Sequence, residues 1–508
     1  MKNQEYKILL VDAPERLSLW FDGTIPSPAL SILASYVKTR YELKVLDLNI
    51  EERPWNVLKM ALDEFKPHLI GLSCTHTCQM NEVMAVARLV RRFSPSSLIV
   101  GGGIYFSVFH EEAICDGLID IAVIGEGEMT FSALAKTLSA IEAERKAGAQ
   151  ITRADISRRL ETIDGLAFKD ETGSIIKSSP RKYIENLDSI PFPSYELYPI
   201  DKYKSPTFGG GEAFGMTFSR GCANRCYFCS ESAGWNHTLR RHSPEYAVRH
   251  LEIIYRNYGR RVFVFGDTDF LSDKKWCEDF IALIKAKKIT INFHVQASCN
   301  SVIKNEELLP KLKEIGLFEV MIGAESPFQK ILSKLKKPYS DKETVVGAME
   351  RVKKHGLLLM AMLVWGTEFD DESTLHEGLY FFDKYADIVC PCLLTPYPGT
   401  ELYDEMKSKG HINVADFAFY DQAHVIVPAG NMSYKETRRV YEKELCLYFN
   451  LNPKFYMKLL SKDAFMRMNQ AAFFKMVWAR TFECVTSQGG YKKDLFNNSE
   501  YLKLMNMR

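Results

Sequence analysis

No stretch of this chain is apolar for long enough to cross a bilayer as a helix. The longest nearly unbroken run, Leu357 to Trp365, is half the roughly 18 residues that a span requires. Near the amino terminus only Ile8 to Val11 run apolar before charge returns at Asp12, too few for a secretory h-region. Neither sign of charge is in excess. Lys+Arg 65 against Asp+Glu 64 leaves a formal net charge of +1, so no global field exists to hold a nucleic-acid backbone, and nucleic acid is not an expected partner. Cysteine is sparse, 12 in 508 residues, which excludes a disulfide scaffold. A cytoplasmic chain with reduced thiols is expected. Repeats and low-complexity tracts are absent, and 46% hydrophobic with 25% charged residues is globular composition.

What is present is alternation of strand and helix signals. Residues 1–140 carry short apolar runs (YKILLVDAP, LKVLDLN, HLIGLSC, SLIVGGG, IDIAVIGEGE) separated by amphipathic stretches, which predicts a parallel, doubly wound α/β sheet. Residues 141–212 predict a hairpin around Glu171-Thr172-Gly173, then a proline-rich extended linker. Residues 213–404 resume the alternation with six strand signals, each followed by a helix, as in a partial (β/α)6 barrel whose ligands sit at the strands' C-terminal ends. Residues 405–508 read as a helical region rich in Phe, Tyr, Met and Trp. It is expected to cap the barrel mouth and to suit an apolar or aromatic small molecule, although aromatics at helical spacing also serve as core.

Three cysteines stand apart from the other nine by their spacing. SRGCANRCYFCS places Cys222, Cys226 and Cys229 at C-x3-C-x2-C after the first strand of the barrel region. A structural zinc site wants four closed ligands, and only His237 and His242 are near enough in sequence to complete one. Three thiolates on a cubane iron-sulfur cluster instead leave one iron open.

This motif, with Phe228 in its aromatic position, resembles that of the radical S-adenosylmethionine (SAM) superfamily. The resemblance implies a four-iron four-sulfur (4Fe-4S) cluster on the three cysteines. Its open iron chelates SAM, and one electron from a donor such as flavodoxin or ferredoxin cleaves SAM to a 5′-deoxyadenosyl radical. It further implies that Asp267 and Asp269 of FGDTDF contact SAM, that Glu325 of IGAES holds the ribose hydroxyls, and that the SAM carboxylate lies near Ser298. The family's usual Arg or other polar residue is not found there, because small polar residues and Cys299 occupy the segment.

The N-terminal region resembles the cobalamin-binding domain that precedes the barrel in one radical SAM subgroup, through PSPALSILA (26 to 34), GLSC (71 to 74), VGGG (100 to 103) and GEGEMTF (125 to 131). Cobalamin contacts are therefore expected from Gly101, Gly102 and Gly103, from Gly125, Glu126 and Gly127, and from the loop with Ser73, Thr75 and His76. The D-x-H-x-x-G signature that supplies a histidine to cobalt is absent, as in many members of this subgroup. The subgroup implies methylation of an unactivated carbon through methylcobalamin. The alternatives are a radical cyclisation or rearrangement without net methyl transfer, methylthiolation of RNA or a ribosomal protein, and a non-catalytic cofactor-binding protein.

Overall fold

The computed structural model describes residues 3–14, 25–204, 213–337, 341–412, 414–453, 457 and 504–505. The chain forms two compact units, one including Pro26–Lys202 and the other beginning its main body at Tyr203.

In the first unit, β1 (Asn3–Asp12) buries Ile8, Leu9 and Leu10 completely, as a central strand covered on both faces must. It pairs in parallel with β2 (Tyr41–Asp47) on one side and β3 (Leu69–Ser73) on the other. The parallel sheet continues through β4 (Leu98–Gly102) and β5 (Ile121–Val123), giving the order β2-β1-β3-β4-β5. The order in which strands are added therefore reverses between β1 and β3, and such a switch point opens a ligand crevice beyond the strands' C-terminal ends. Two strands then extend the sheet in antiparallel fashion, β6 (Leu166–Lys169) and β7 (Ile175–Lys177). The division expected at residue 140 is thus not a structural boundary. The helix Gly127–Lys146 runs through it, and the hairpin beyond it finishes the first sheet.

In the second unit β8 (Ala213–Met216) leads into a short antiparallel pair, β9 (Ser219–Gly221) with β10 (Leu239–Arg241). Then follow β11 (Val262–Phe265), β12 (Asn292–Ala297), β13 (Leu317–Glu325), β14 (Leu358–Trp365) and β15 (Ile388–Leu393). Strands β8, β11, β12, β13, β14 and β15 lie in that order, all parallel, as an open half-barrel. The helix Pro244–Asn257 starts where the sequence places it, with Ser243 Oγ accepting the Tyr246 N–H at 3.1 Å.

Side chains alternate along each strand. On the convex face Phe265 and Phe293 pack with Phe270, Trp276 and Phe280, ring centroids 5.0 to 6.5 Å apart. Such pairs contribute about 0.5–1.5 kcal/mol each beyond their burial. On the other face Met321, Met360, Met362, Ile388, Cys390 and Cys392 form a separate, sulfur-rich apolar cluster.

The helix Tyr434–Leu451 does not cap the barrel. It lies along the flank of β15, where the Tyr441 hydroxyl donates to the Pro391 carbonyl at 2.9 Å and the ring stacks on Trp365. Its Tyr448 hydroxyl donates to Asp383 at 2.9 Å. An edge strand needs such a cover, and the aromatics of this helix are core. The second helical signal expected in this region, MNQAAFFKMVWARTF, falls outside the described residues. No helix among the described residues is long and apolar enough to cross a membrane.

Candidate functional site

Beyond β9, the loop carrying Cys222, Cys226 and Cys229 leaves through Gly221. The φ of +85° there admits glycine readily, and a Cβ would overlap the Thr238 carbonyl. None of the three cysteines is in a disulfide, and each is half-buried. Burial pushes the Cys226 thiol up to about 11, with Lys337 opposing and the neighbouring Cys229, Glu325 and Cys222 adding to the rise. A bound metal would stabilise a thiol in such a place as the thiolate.

Zinc has no set of ligands here. Among the described residues no three His, Cys, Asp or Glu side chains converge on a single ion. His237 Nδ1 lies 3.3 Å from the Asn224 carbonyl, and His242 stacks on Tyr246 at 3.9 Å. A cubane, in which each thiolate takes its own iron, requires no common point, so the donor set fits a cluster.

The aromatic pair inside the motif anchors the loop. Tyr227 donates its N–H to the Leu335 carbonyl at 3.1 Å and accepts from the Leu402 N–H at 3.2 Å. Its hydroxyl donates to Glu405 at 2.5 Å. Glu405 also meets Lys334 at 3.1 Å and Lys409 at 2.6 Å. Burial would raise this carboxyl, but the hydrogen bonds from Lys409, Tyr227 and Lys334 hold it down to about 2. Phe228 packs beside Tyr227 against Ile331, Leu335 and Leu402. Sequence reasoning missed this network, because nothing local to TELYDEM marks Glu405 as the acid that faces a tyrosine 178 positions away.

Asp267 and Asp269 are placed otherwise than the family motif implied. Asp267 is 1% exposed, and its oxygens accept from the Phe218 N–H at 3.2 Å and from the Ser219 hydroxyl. Burial raises its pKa against the pull of Arg241 and these donors. Asp269 accepts from the Ser298 N–H at 3.2 Å and the Ser301 hydroxyl at 2.6 Å. Both acids therefore tie the ends of β8, β11 and β12 together, and Thr268 adds a bond to the Gly221 carbonyl at 3.0 Å. Ser298 caps the helix Cys299–Lys304. These groups position the strand ends.

Glu325 ends β13 at a bulge against β14, with φ +61°. A non-glycine residue held there marks stored strain of about 1–3 kcal/mol, a common mark of a functional position. Its carboxylate meets the Lys337 ammonium at 2.6 Å. Lys337 is the second residue that sequence reasoning missed; its only signal is a lysine pair just before Pro338. Deeper in the half-barrel, His294 Nδ1 and Glu319 Oε1 form a fully buried pair at 2.7 Å that locks β12 to β13.

In the first unit, Ser73 and Gly102 are register partners at the crevice, and the Cys74 N–H donates to the Gly102 carbonyl at 2.8 Å. The glycines divide by what a Cβ would meet. At Gly101 it would strike the Phe106 ring at 2.6 Å, and at Gly103 (φ +99°) it would overlap the Cys74 carbonyl. Internal packing therefore requires glycine at both positions. A Cβ at Gly127 would lie 3.7 Å from Leu33 and Val123. The Glu126 carboxylate accepts the Ile184 N–H at 2.6 Å. Gly102 faces open space, its nearest atom at 3.9 Å, and Gly125 (φ +79°) has nothing within 4 Å. Thr75 and His76 are exposed, His76 Nδ1 lying 3.4 Å from the Thr75 hydroxyl. A cradle open at Gly102 and Gly125 fits a broad, flat ligand such as a corrin.

The Radical SAM superfamily model matches residues 216–377, and the B12 binding domain model matches residues 20–135. An uncharacterized methyltransferase of Pyrococcus horikoshii is 30% identical over 469 residues, covering 90% of this chain and 95% of that protein. The chain belongs to the radical SAM superfamily. Within it the chain carries the B12 binding domain. The anaerobic magnesium-protoporphyrin IX monomethyl ester cyclase of Rubrivivax gelatinosus is 24% identical over 78% of this chain and 69% of its own length. The structure of the radical SAM methyltransferase TsrM of Kitasatospora setae, with cobalamin and a 4Fe-4S cluster, shares the fold. The TM-score is 0.68 at 17% identity, over 95% of this chain and 100% of that one.

Proposed function

We propose that this chain is a cobalamin-dependent radical SAM methyltransferase acting on an unactivated carbon of an apolar or aromatic small molecule. The observation that carries the reading is that one chain holds both a three-thiol loop at the end of a half-barrel and a glycine crevice open at Gly102. When bound, the cluster with SAM supplies an electron and a hydrogen-abstracting radical, and cobalamin supplies a methyl carrier.

The chain's own residues do the positioning. Cys222, Cys226 and Cys229 hold three irons and leave the fourth free for SAM, while Tyr227 fixes the loop through Glu405. Glu325 accepts from the ribose hydroxyls. The Met321, Met360, Met362, Cys390 and Cys392 cluster keeps water from the concave face, which protects a reactive carbon centre from side reactions. Gly102 and Gly125 would admit the corrin close to backbone, with His76 exposed on the adjoining loop. A cytoplasmic setting and a flavodoxin- or ferredoxin-type electron donor complete the proposal.

Methyl-labelled SAM tests it. A methyltransferase places the label in product; label confined to methionine, with product altered in oxidation state or ring count, establishes the cyclase reading that the Rubrivivax relative represents.

A further inference from the structure

We infer that Lys337 sets the electron affinity of the three-cysteine site, with Glu325 as its opposing charge. This inference rests on the reading of Cys222, Cys226 and Cys229 as cluster ligands.

The geometry is specific. The Lys337 ammonium is 13% exposed and lies 2.6 Å from a Glu325 carboxylate that is 7% exposed. It also sits 5.7 Å above the ring of Phe228, one of the two residues between Cys226 and Cys229. The neighbouring lysines serve elsewhere: Lys334 reaches Glu405 at 3.1 Å, and Lys336 pairs with Glu401 on the surface. Among these three lysines it is Lys337 that pairs with the Glu325 carboxylate and lies over Phe228. The bulge and the positive φ at Glu325 direct its carboxylate to the same ammonium.

The charges then decide the sign. A core with two positive charges on three thiolates is a monoanion, and the single electron from a flavodoxin- or ferredoxin-type donor makes it a dianion. A buried cation beside the thiols stabilises the reduced form, and a buried carboxylate opposes it. Because each partner partly cancels the other, removing one leaves the other uncompensated. Neutralising Lys337 and neutralising Glu325 must therefore move the cluster in opposite directions.

The test is a redox titration of the anaerobic four-iron protein without SAM, read by the paramagnetic signal of the reduced cluster. At the potential where the wild type is half reduced, Lys337→Met should lower the reduced-to-oxidised ratio about tenfold, equivalent to about 59 mV for one electron. Glu325→Gln should raise it by a similar factor, and Lys337→Arg should stay within about threefold of the wild type. Shifts of the same sign, or no shift beyond about threefold in either neutral variant, overturn the inference. Should Lys337→Met fail to hold a cluster, Glu325→Gln decides alone, and an unchanged potential there overturns it. A wild-type chain that takes up no four-iron cluster sinks the cluster reading itself, and iron analysis identifies that case before any titration.

Discussion

Replacing Gly102 with leucine isolates the cobalamin crevice from the stability of the sheet that builds it. A Cβ at Gly102 would find its nearest neighbour, Val123 Cβ, at 3.9 Å, ordinary van der Waals contact. The fold should therefore tolerate the change within about 0.5 kcal/mol, the range of substitutions that break no packing. The same open space is where a corrin would lie. A leucine side chain there must be displaced or crowd the ligand, and overpacking of about 1–3 kcal/mol corresponds to roughly fivefold to 150-fold weaker cobalamin binding. Gly103→Ala is the contrasting variant. Its φ of +99° and the overlap with the Cys74 carbonyl predict about 1–3 kcal/mol of strain, or a loss of several degrees in Tm. Cobalamin affinity by absorbance titration and Tm by calorimetry separate the two effects. Wild-type affinity in Gly102→Leu, or a Tm loss matching that of Gly103→Ala, would refute the placement of the ligand.

Alanine at Cys222, Cys226 or Cys229 should prevent assembly of the four-iron cluster, checked by iron and sulfide analysis, while leaving cobalamin binding by the first unit unchanged. Glu325→Ala should keep the cluster and bind SAM more weakly; equal SAM affinity by equilibrium dialysis rejects its assignment to the ribose. Glu405 is held at about 2 from an ordinary 4.5, so the stability it contributes is present above about 4.5 and fades as pH falls toward 2. Glu405→Gln should accordingly lower the Tm of the cluster-free chain near neutrality and flatten its acid limb. An acid limb parallel to that of the wild type would show that the Tyr227 anchor lies outside the titrating network.

The order of strands and helices was legible in the sequence because it is written in local periodicity. Buried parallel strands such as Leu69–Ser73 read as short apolar runs, and caps such as Ser243 with Pro244 mark helix starts. The three cysteines were legible for a related reason: their spacing within eight residues is itself the chemistry. Where charges point was not legible, because that depends on residues distant in the chain. Asp267 and Asp269 look alike in FGDTDF, yet one closes on the Phe218 amide and the other on Ser298 and Ser301. The run Gly101 to Gly103 is uniform in sequence, but only packing against Phe106 and Cys74 leaves Gly102 as the open position. Glu405 carries no local signature, and Lys337 only a lysine pair before Pro338. Local periodicity by itself determined an α/β ligand crevice, and the cysteine spacing, through its resemblance to the radical SAM motif, implied a thiol-bound cluster. Tertiary contact alone decided which acids are spent on the chain's own amides and which charge faces the thiols, since a side chain's partners are set by strand register and loop closure.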